Sequence, residues 1–365
     1  MTEVSSGASK KILIVGPSWV GDMVMAQALF ITLQAQAAAA GGTAIIDVLA
    51  PAWSRPLLVR MPQVRHAIDL PFAHGELNLA GRYRLGHSLR KERYDQVIVL
   101  PNSFKSALLT LFTRSRKRTG WRGEARGILL NDVRQLDPQA LPLMVQRFVA
   151  LGLPEGASLP DPLPRPQLIT DPASVALALA DLQLQTTRPV LVICPGAEFG
   201  DAKQWPAEHF ASLSARKIED GWQVWILGSA KDNHVATTIK DLLSTVARAE
   251  CQDLTGRTSL AQAIDLMSLA RAVVSNDSGL MHVAAALARP IVALYGSTSA
   301  DFTPPLADNV QLLATDIGCR PCFERTCPLQ HKRCLVDLSP QLALGALEAV
   351  LNRAGSPTQT DGEQR

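Results

Sequence analysis

Residues 272–289, AVVSNDSGLMHVAAALAR, leave little freedom in how the chain can fold. A β-branched run ends at Ser275. A polar turn covers Asn276, Asp277, Ser278 and Gly279, and an Ala/Leu-rich helical pattern starts near Leu280. A short apolar strand that feeds a helix through a tight turn belongs in a parallel sheet with helices packed on its faces. The first N–H groups of such a helix lack internal partners, and the helix dipole places partial positive charge there. The turn is therefore suited to a phosphate. Asp277 cannot hold a phosphate itself, because like charges repel. It could cap the helix or accept a hydrogen bond from a ribose hydroxyl.

The same pattern recurs along the chain. Residues 11–15 predict a first strand, 16–21 a glycine-bracketed loop, and 22–40 a helix stopped by Gly41 and Gly42. Residues 44–49 and 96–100 predict further buried strands. Between Gly152 and Pro172 the prolines 154, 160, 162, 164, 166 and 172 rule out regular structure and mark a linker. The alternation then restarts, with strands predicted at 190–194, 222–227, 272–275 and 291–295 and a helix at 206–220. The fold class is α/β, with two Rossmann-like domains facing across a cleft. The first spans 10–170 and the second 171–354, with the last helix a candidate to pack back on the first domain. Residues 355–365 are expected to be a disordered tail.

With 365 residues, 47% hydrophobic and 19% charged, the chain can bury two cores and is not a disordered protein. Its net charge of +3 is unevenly spread. Residues 1–168 carry 20 Lys and Arg against 12 Asp and Glu, and residues 82–126 alone carry 12 against 3. That surplus suggests an anionic partner. Aromatics make up 5% and do not interleave with the basic run, so nucleic acid is not expected. Residues 1–11 show no apolar signal core. The helix at 23–40 is interrupted by Gln27, Thr32, Gln34 and Gln36, which makes it too polar for a confident span. A cytoplasmic protein that touches a membrane from that side is expected.

Three loops after predicted strands of the second half line one sheet edge, where ligands of such sheets bind. They are 195–206 with Pro195, Gly196 and Lys203, 228–232 with Ser229, and the turn 276–282. Small residues, one ammonium and helix starts suit a nucleotide diphosphate. Trp205 reads as a core anchor. The first half has one matching loop, 16–22, which is neither Gly-x-Gly-x-x-Gly nor a Walker loop. Asp22 at the helix start is a capping carboxylate by default, or a general base if it faces a cleft. There is no Asp-x-Asp pair, so a divalent ion bridging phosphates is not indicated. Cys319, Cys322, Cys327 and Cys334 are candidates for a structural metal, against free thiols in a packed loop. A nucleotide-linked epimerase or dehydrogenase, and a non-catalytic membrane-surface module, are the rival classes. The first lacks its glycine fingerprint, and the second leaves the loop set unexplained.

The segments GPSWVGDM (16–23), PGAEFG (195–200) with Lys203-x-Trp205-Pro206, and SNDSGLMH (275–282) resemble the motifs of the ADP-heptose:lipopolysaccharide heptosyltransferases. PSWVGD and the four-cysteine segment resemble the type II branch in particular. The resemblance implies a GT-B architecture, an inverting mechanism, no obligatory metal or other cofactor, and ADP-L-glycero-β-D-manno-heptose as donor. It implies Asp22 as catalytic base and Lys203 on the donor diphosphate. Asp277, Ser278, Gly279 and His282 fall in the donor-binding turn, and the adenosine is expected near Ser229 and Thr258. The implied acceptor is an anionic glycolipid of the lipopolysaccharide inner core, met at the cytoplasmic face of the inner membrane. A type I-like enzyme, or another nucleotide-sugar glycosyltransferase with a different acidic glycolipid acceptor, is the alternative.

Overall fold

The computed structural model describes residues 9–72 and 76–355. The expected tail lies outside them except for Gly355, which ends the last helix. The chain divides into two compact units. One runs through Ile169 and also takes in Asp301–Thr303, and the other comprises the rest from Thr170.

The first unit is built on strands β1 (Ser9–Val15), β2 (Thr43–Ala50), β3 (Val64–Asp69), β4 (Gln96–Val99), β5 (Lys117–Trp121) and β6 (Asp132–Arg134). They form one parallel sheet in the order β3-β2-β1-β4-β5-β6. The central strands are continuous apolar runs because both faces are covered. Leu13, Val15, Leu49, Val97 and Val99 share a core with Leu108 and Leu109 of the helix Phe104–Thr113. The helix Val20–Ala39 buries Met23, Val24, Met25, Leu29, Phe30 and Leu33. It stops at Gly41, whose φ of 73° suits a residue without a Cβ. The helix Met144–Gly152 packs on it so closely that a Cβ at Gly152 would run into Leu29.

Part of the basic run over 82–126 is turned inward. Arg82 donates to the carbonyls of Glu76, Leu77 and Lys105. Arg90 donates to the Phe112 carbonyl, and Arg118 to those of Leu129 and Ser115. Arg126, with no exposed surface, donates to the carbonyls of Pro101 and Trp121 and to Asn102 Oδ1. These guanidinium groups satisfy backbone that would otherwise be buried without partners. Arg84, Lys91, Arg93, Arg114, Arg116, Lys117 and Arg122 remain exposed.

On β6, Asp132 accepts from Arg134 Nε at 2.6 Å, Thr119 Oγ1 at 2.8 Å and Lys117 Nζ at 3.1 Å. Burial alone pushes this carboxyl up, but the three donors outweigh it and hold the group at about 2. A folded-state value below the unfolded one stabilises the protein above the unfolded pKa and is lost as pH falls toward the folded value. Asp132→Asn is therefore expected to cost about 2 kcal/mol near neutrality. It should also flatten the loss of stability between about pH 4 and pH 2, as followed by urea unfolding across that range.

The second unit repeats the plan. Its strands are β7 (Val190–Cys194), β8 (Gln223–Ile226), β9 (Cys251–Asp253), β10 (Ala272–Asn276), β11 (Ile291–Leu294) and β12 (Val310–Leu313). They are all parallel, in the order β12-β11-β10-β7-β8-β9. Read from the other edge, this is the strand order of the first sheet. The linker residues 153–171 carry no helix or strand, and Asp171 caps the helix Pro172–Asp181.

The last helix, Pro340–Gly355, falls in the second unit. Ala343, Leu347 and Val350 share a core with Phe210, Leu213 and Leu294, and Lys217 Nζ donates to Glu348 at 2.9 Å. The short segment Asp301–Thr303 groups with the first unit because the Met144 N–H donates to the Phe302 carbonyl at 2.9 Å and Arg147 lies over the Phe302 ring. Among the described residues no helix is long and apolar enough to cross a membrane.

Candidate active site

In each sheet the strand order reverses at one place, beside β1 in the first unit and beside β7 in the second. Ligands of doubly wound sheets bind outside the carboxyl ends of strands at such switch points. Candidate residues from the sequence fall at both.

In the first unit, β1 runs into Gly16, whose N–H donates to the Leu49 carbonyl at 2.9 Å. A Cβ there would press on Met23, Val48 and Ala50, so the backbone needs glycine to turn so close to the sheet. The helix Val20–Ala39 then starts with no side-chain cap at Trp19, and Asp22 is the acidic residue of its first turn. Asp22 is half-buried. A carboxylate there is favoured by the helix dipole.

In the second unit, three strand exits come together around one carboxylate. Asp277, which follows β10, is buried, and its Oδ2 accepts from Lys203 Nζ at 2.5 Å and from Thr298 Oγ1 at 2.6 Å. Lys203 ends the short turn Asp201–Lys203 in the loop after β7, and its ammonium lies 5.1 Å from the centre of the Phe199 ring. Asn276 closes that loop at both ends. Its Nδ2 donates to the Pro195 carbonyl at 2.7 Å, and its Oδ1 accepts from the Trp205 N–H at 3.1 Å. Trp205 is the anchor expected from sequence, with its ring buried and its Nε1 donating to the Leu338 carbonyl at 2.8 Å.

Ser278 stands at the N-cap of the helix Gly279–Ala286 with extended backbone and makes no side-chain cap bond. Its hydroxyl lies 3.2 Å from that of Ser275. Asp277 therefore does not cap this helix and holds Lys203 instead. His282 is buried in the helix. Burial pushes its imidazole down to about 4, with Lys203 acting in the same direction and Asp277 against it. The ring is neutral near pH 7 and adds no cationic charge to an anion site.

The exit of β8 joins the same edge. Ser229 is exposed, and its N–H and hydroxyl both donate to Asp232 Oδ2, at 2.8 and 2.9 Å. A Cβ at Gly196 would collide with the Asp232 carboxylate, so the loops after β7 and β8 are packed backbone to side chain. Thr258 is half-buried in the segment between β9 and the helix Leu260–Met267, with no hydrogen bond to Lys203, Asp277 or Ser229 among those described.

Cys319, Cys322, Cys327 and Cys334 line one small cavity together with Ala202, Ser297, Arg320, His331 and Lys332. All four are free thiols. Among the described residues no three or more His, Cys, Asp or Glu side chains are arranged to hold a metal ion. Backbone N–H groups, that of Lys332 foremost, lower the Cys327 thiol, while burial raises that of Cys334. Sequence reasoning passed over Asn276 as a scaffold and missed Thr298 and Asp232 as partners. Thr298 lies just beyond a predicted strand, which was the available signal.

The profile of glycosyltransferase family 9 (heptosyltransferase) matches residues 82–333. The chain is 49% identical to lipopolysaccharide heptosyltransferase 2 of Salmonella typhimurium, over 94% of this chain and 99% of that one. It is 45% identical to lipooligosaccharide heptosyltransferase 2 of Haemophilus influenzae, over 93% and 99%. The solved structure of E. coli ADP-heptose lps heptosyltransferase II superposes with a TM-score of 0.85 at 47% identity, covering 95% of this chain and all of that one. The chain belongs to glycosyltransferase family 9, the heptosyltransferases, and is a glycosyltransferase with a GT-B-like fold.

Proposed function

We propose that the protein transfers L-glycero-D-manno-heptose from ADP-heptose to the first heptose of the lipopolysaccharide inner core, with inversion at the anomeric carbon. The observation that carries the reading is the pair of half-buried Lys203 and buried Asp277 beside a helix start without a side-chain cap, at the switch point of the second sheet. Relatives of nearly the same length named as heptosyltransferase 2 support this acceptor over that of a type I enzyme.

In this mechanism Asp22 accepts the proton of the acceptor hydroxyl as its oxygen attacks the anomeric carbon. The bond to the diphosphate breaks on the opposite side of that carbon, and ADP leaves with the electron pair. Its growing negative charge is met by Lys203 and by the first N–H groups of the helix Gly279–Ala286. Preorganised donors at such a centre are each worth about 3 kcal/mol of barrier. Pro195, Gly196 and Ser229 border the nucleotide, with Thr258 toward the adenosine. Neutral His282 lies buried in the helix that follows the turn.

The second unit is then the nucleotide-sugar domain and the first the acceptor domain. The exposed Arg84, Lys91, Arg93, Arg114, Arg116 and Arg122 favour a phosphorylated glycolipid and peripheral contact with the cytoplasmic face of the inner membrane. The test is a transfer assay with ADP-heptose and a one-heptose acceptor, read by mass spectrometry. A gain of one heptose unit is expected. Transfer only to an acceptor that carries no heptose would replace the reading with a type I activity, and no gain on either acceptor would overturn it.

A further inference from the structure

The carboxylate of Asp277 is shared. Lys203 Nζ and Thr298 Oγ1 approach the same oxygen, Oδ2, at 2.5 and 2.6 Å. Thr298 lies in the turn that follows β11, and it is buried. That turn is strapped to its surroundings on two sides. Arg320 donates from Nη2 to the Thr298 carbonyl at 3.0 Å and from Nε to the Gly296 carbonyl at 3.1 Å. The Ser297 N–H donates to the carbonyl of Ala202, the residue before Lys203, at 3.3 Å, and the Phe323 N–H donates to the Ser297 carbonyl at 2.7 Å. A Cβ at Gly296 would press on the Ala202 carbonyl, so this turn and the Lys203 loop meet at backbone distance.

We infer that Thr298 is a positioning residue for the donor diphosphate, acting through Asp277 on Lys203; this rests on the reading that Lys203 meets that diphosphate. A buried carboxylate held only by Lys203 would compete strongly for the ammonium when an anion arrives. The Thr298 hydroxyl, fixed by Arg320 through its own backbone, keeps one donor on Asp277 throughout. It thereby weakens the hold of Asp277 on Lys203 and frees the ammonium to turn to the diphosphate. Removing the hydroxyl leaves Lys203 as the remaining described donor to the Asp277 carboxylate and makes the exchange costlier. A hydrogen bond to a charged group is strong enough for this to be measured.

The experiment is calorimetric titration of the full chain with ADP, together with steady-state transfer kinetics. Thr298→Val keeps the side-chain volume and removes the hydroxyl. It is expected to weaken ADP binding about tenfold and to raise the donor KM by a similar factor, leaving the acceptor KM unchanged. Thr298→Ser keeps the hydroxyl and loses the methyl, and is expected to bind within about twofold of the parent. Thr298→Ala is the second hydroxyl-free variant and must show the same loss as Thr298→Val. A purely packing role predicts the opposite ranking, with Thr298→Val normal and Thr298→Ser impaired, and that result would overturn the inference. Lys203→Ala, run alongside, separates the two levels. If it weakens ADP binding while Thr298→Val and Thr298→Ala do not, the role of Thr298 is refuted and the donor site stands. If Lys203→Ala itself binds ADP normally, both fall.

Discussion

Asp22→Asn is expected to lower heptose transfer by about a thousandfold while leaving ADP-heptose affinity within about twofold of the parent. The substitution keeps the shape of the side chain and removes its negative charge and its ability to take a proton. It costs the first turn of the helix Val20–Ala39 a favourable dipole interaction of less than about 1 kcal/mol, so the fold is retained. The groups assigned to the donor, Lys203, Asp277 and the helix Gly279–Ala286, all belong to the second unit. Binding and turnover should therefore separate cleanly, with binding followed by calorimetry and transfer by mass. Near-normal turnover in this variant would remove Asp22 from the role of base, whatever its effect on stability.

Arg126→Ala is expected to be the most destabilising single change to an arginine of the basic run. The side chain has no exposed surface, and its two terminal nitrogens serve the carbonyls of Pro101 and Trp121 and the Asn102 side chain. Truncation leaves the buried Trp121 carbonyl and the part-buried Pro101 carbonyl without this donor and opens a cavity. Together these effects amount to about 4 kcal/mol. In a unit of this size that corresponds to a melting temperature lower by about 10 °C. Arg122→Ala, an exposed position four residues earlier, is the control and should shift it by less than about 2 °C. If the two variants melt together, Arg126 does not hold the β4–β5 end of the sheet as its hydrogen bonds indicate.

The contrast between Arg126 and Arg122 shows where sequence reading stops. The surplus of basic residues over 82–126 is real, but which guanidinium groups face water depends on carbonyls that fold back from up to 25 residues away. No local pattern carries that information. The strands show the same divide. β7 and the inner parts of β1 and β10 are buried, mostly apolar runs, and these strands were legible at close to their observed bounds. β5 reads KRTGW, β6 reads DVR and β9 reads CQD, which are too short or too polar to announce themselves. They become strands because a formed neighbour offers its open ladder of N–H and C=O groups.

At the candidate site, the chemical residue types were legible from their place at strand exits. Their partners were not. Lys203 and Asp277 were each marked for a ligand, whereas the structure pairs them with one another and adds Thr298. The cysteine segment was legible as a cluster, since its four thiols do line one cavity, but spacing alone could not say whether they converge as ligands.

The single amide of Asn276 ties both ends of the long loop after β7. A loop pinned in this way has its shape set when the protein folds, so the nucleotide of the proposed reading would meet a moulded socket instead of a floppy strap. Little disorder has to be frozen out at the moment of capture, and weak, fast-exchanging ligands can still be held in register. Loosening that one knot would make the socket slack even though no atom of Asn276 need ever touch what lies in it.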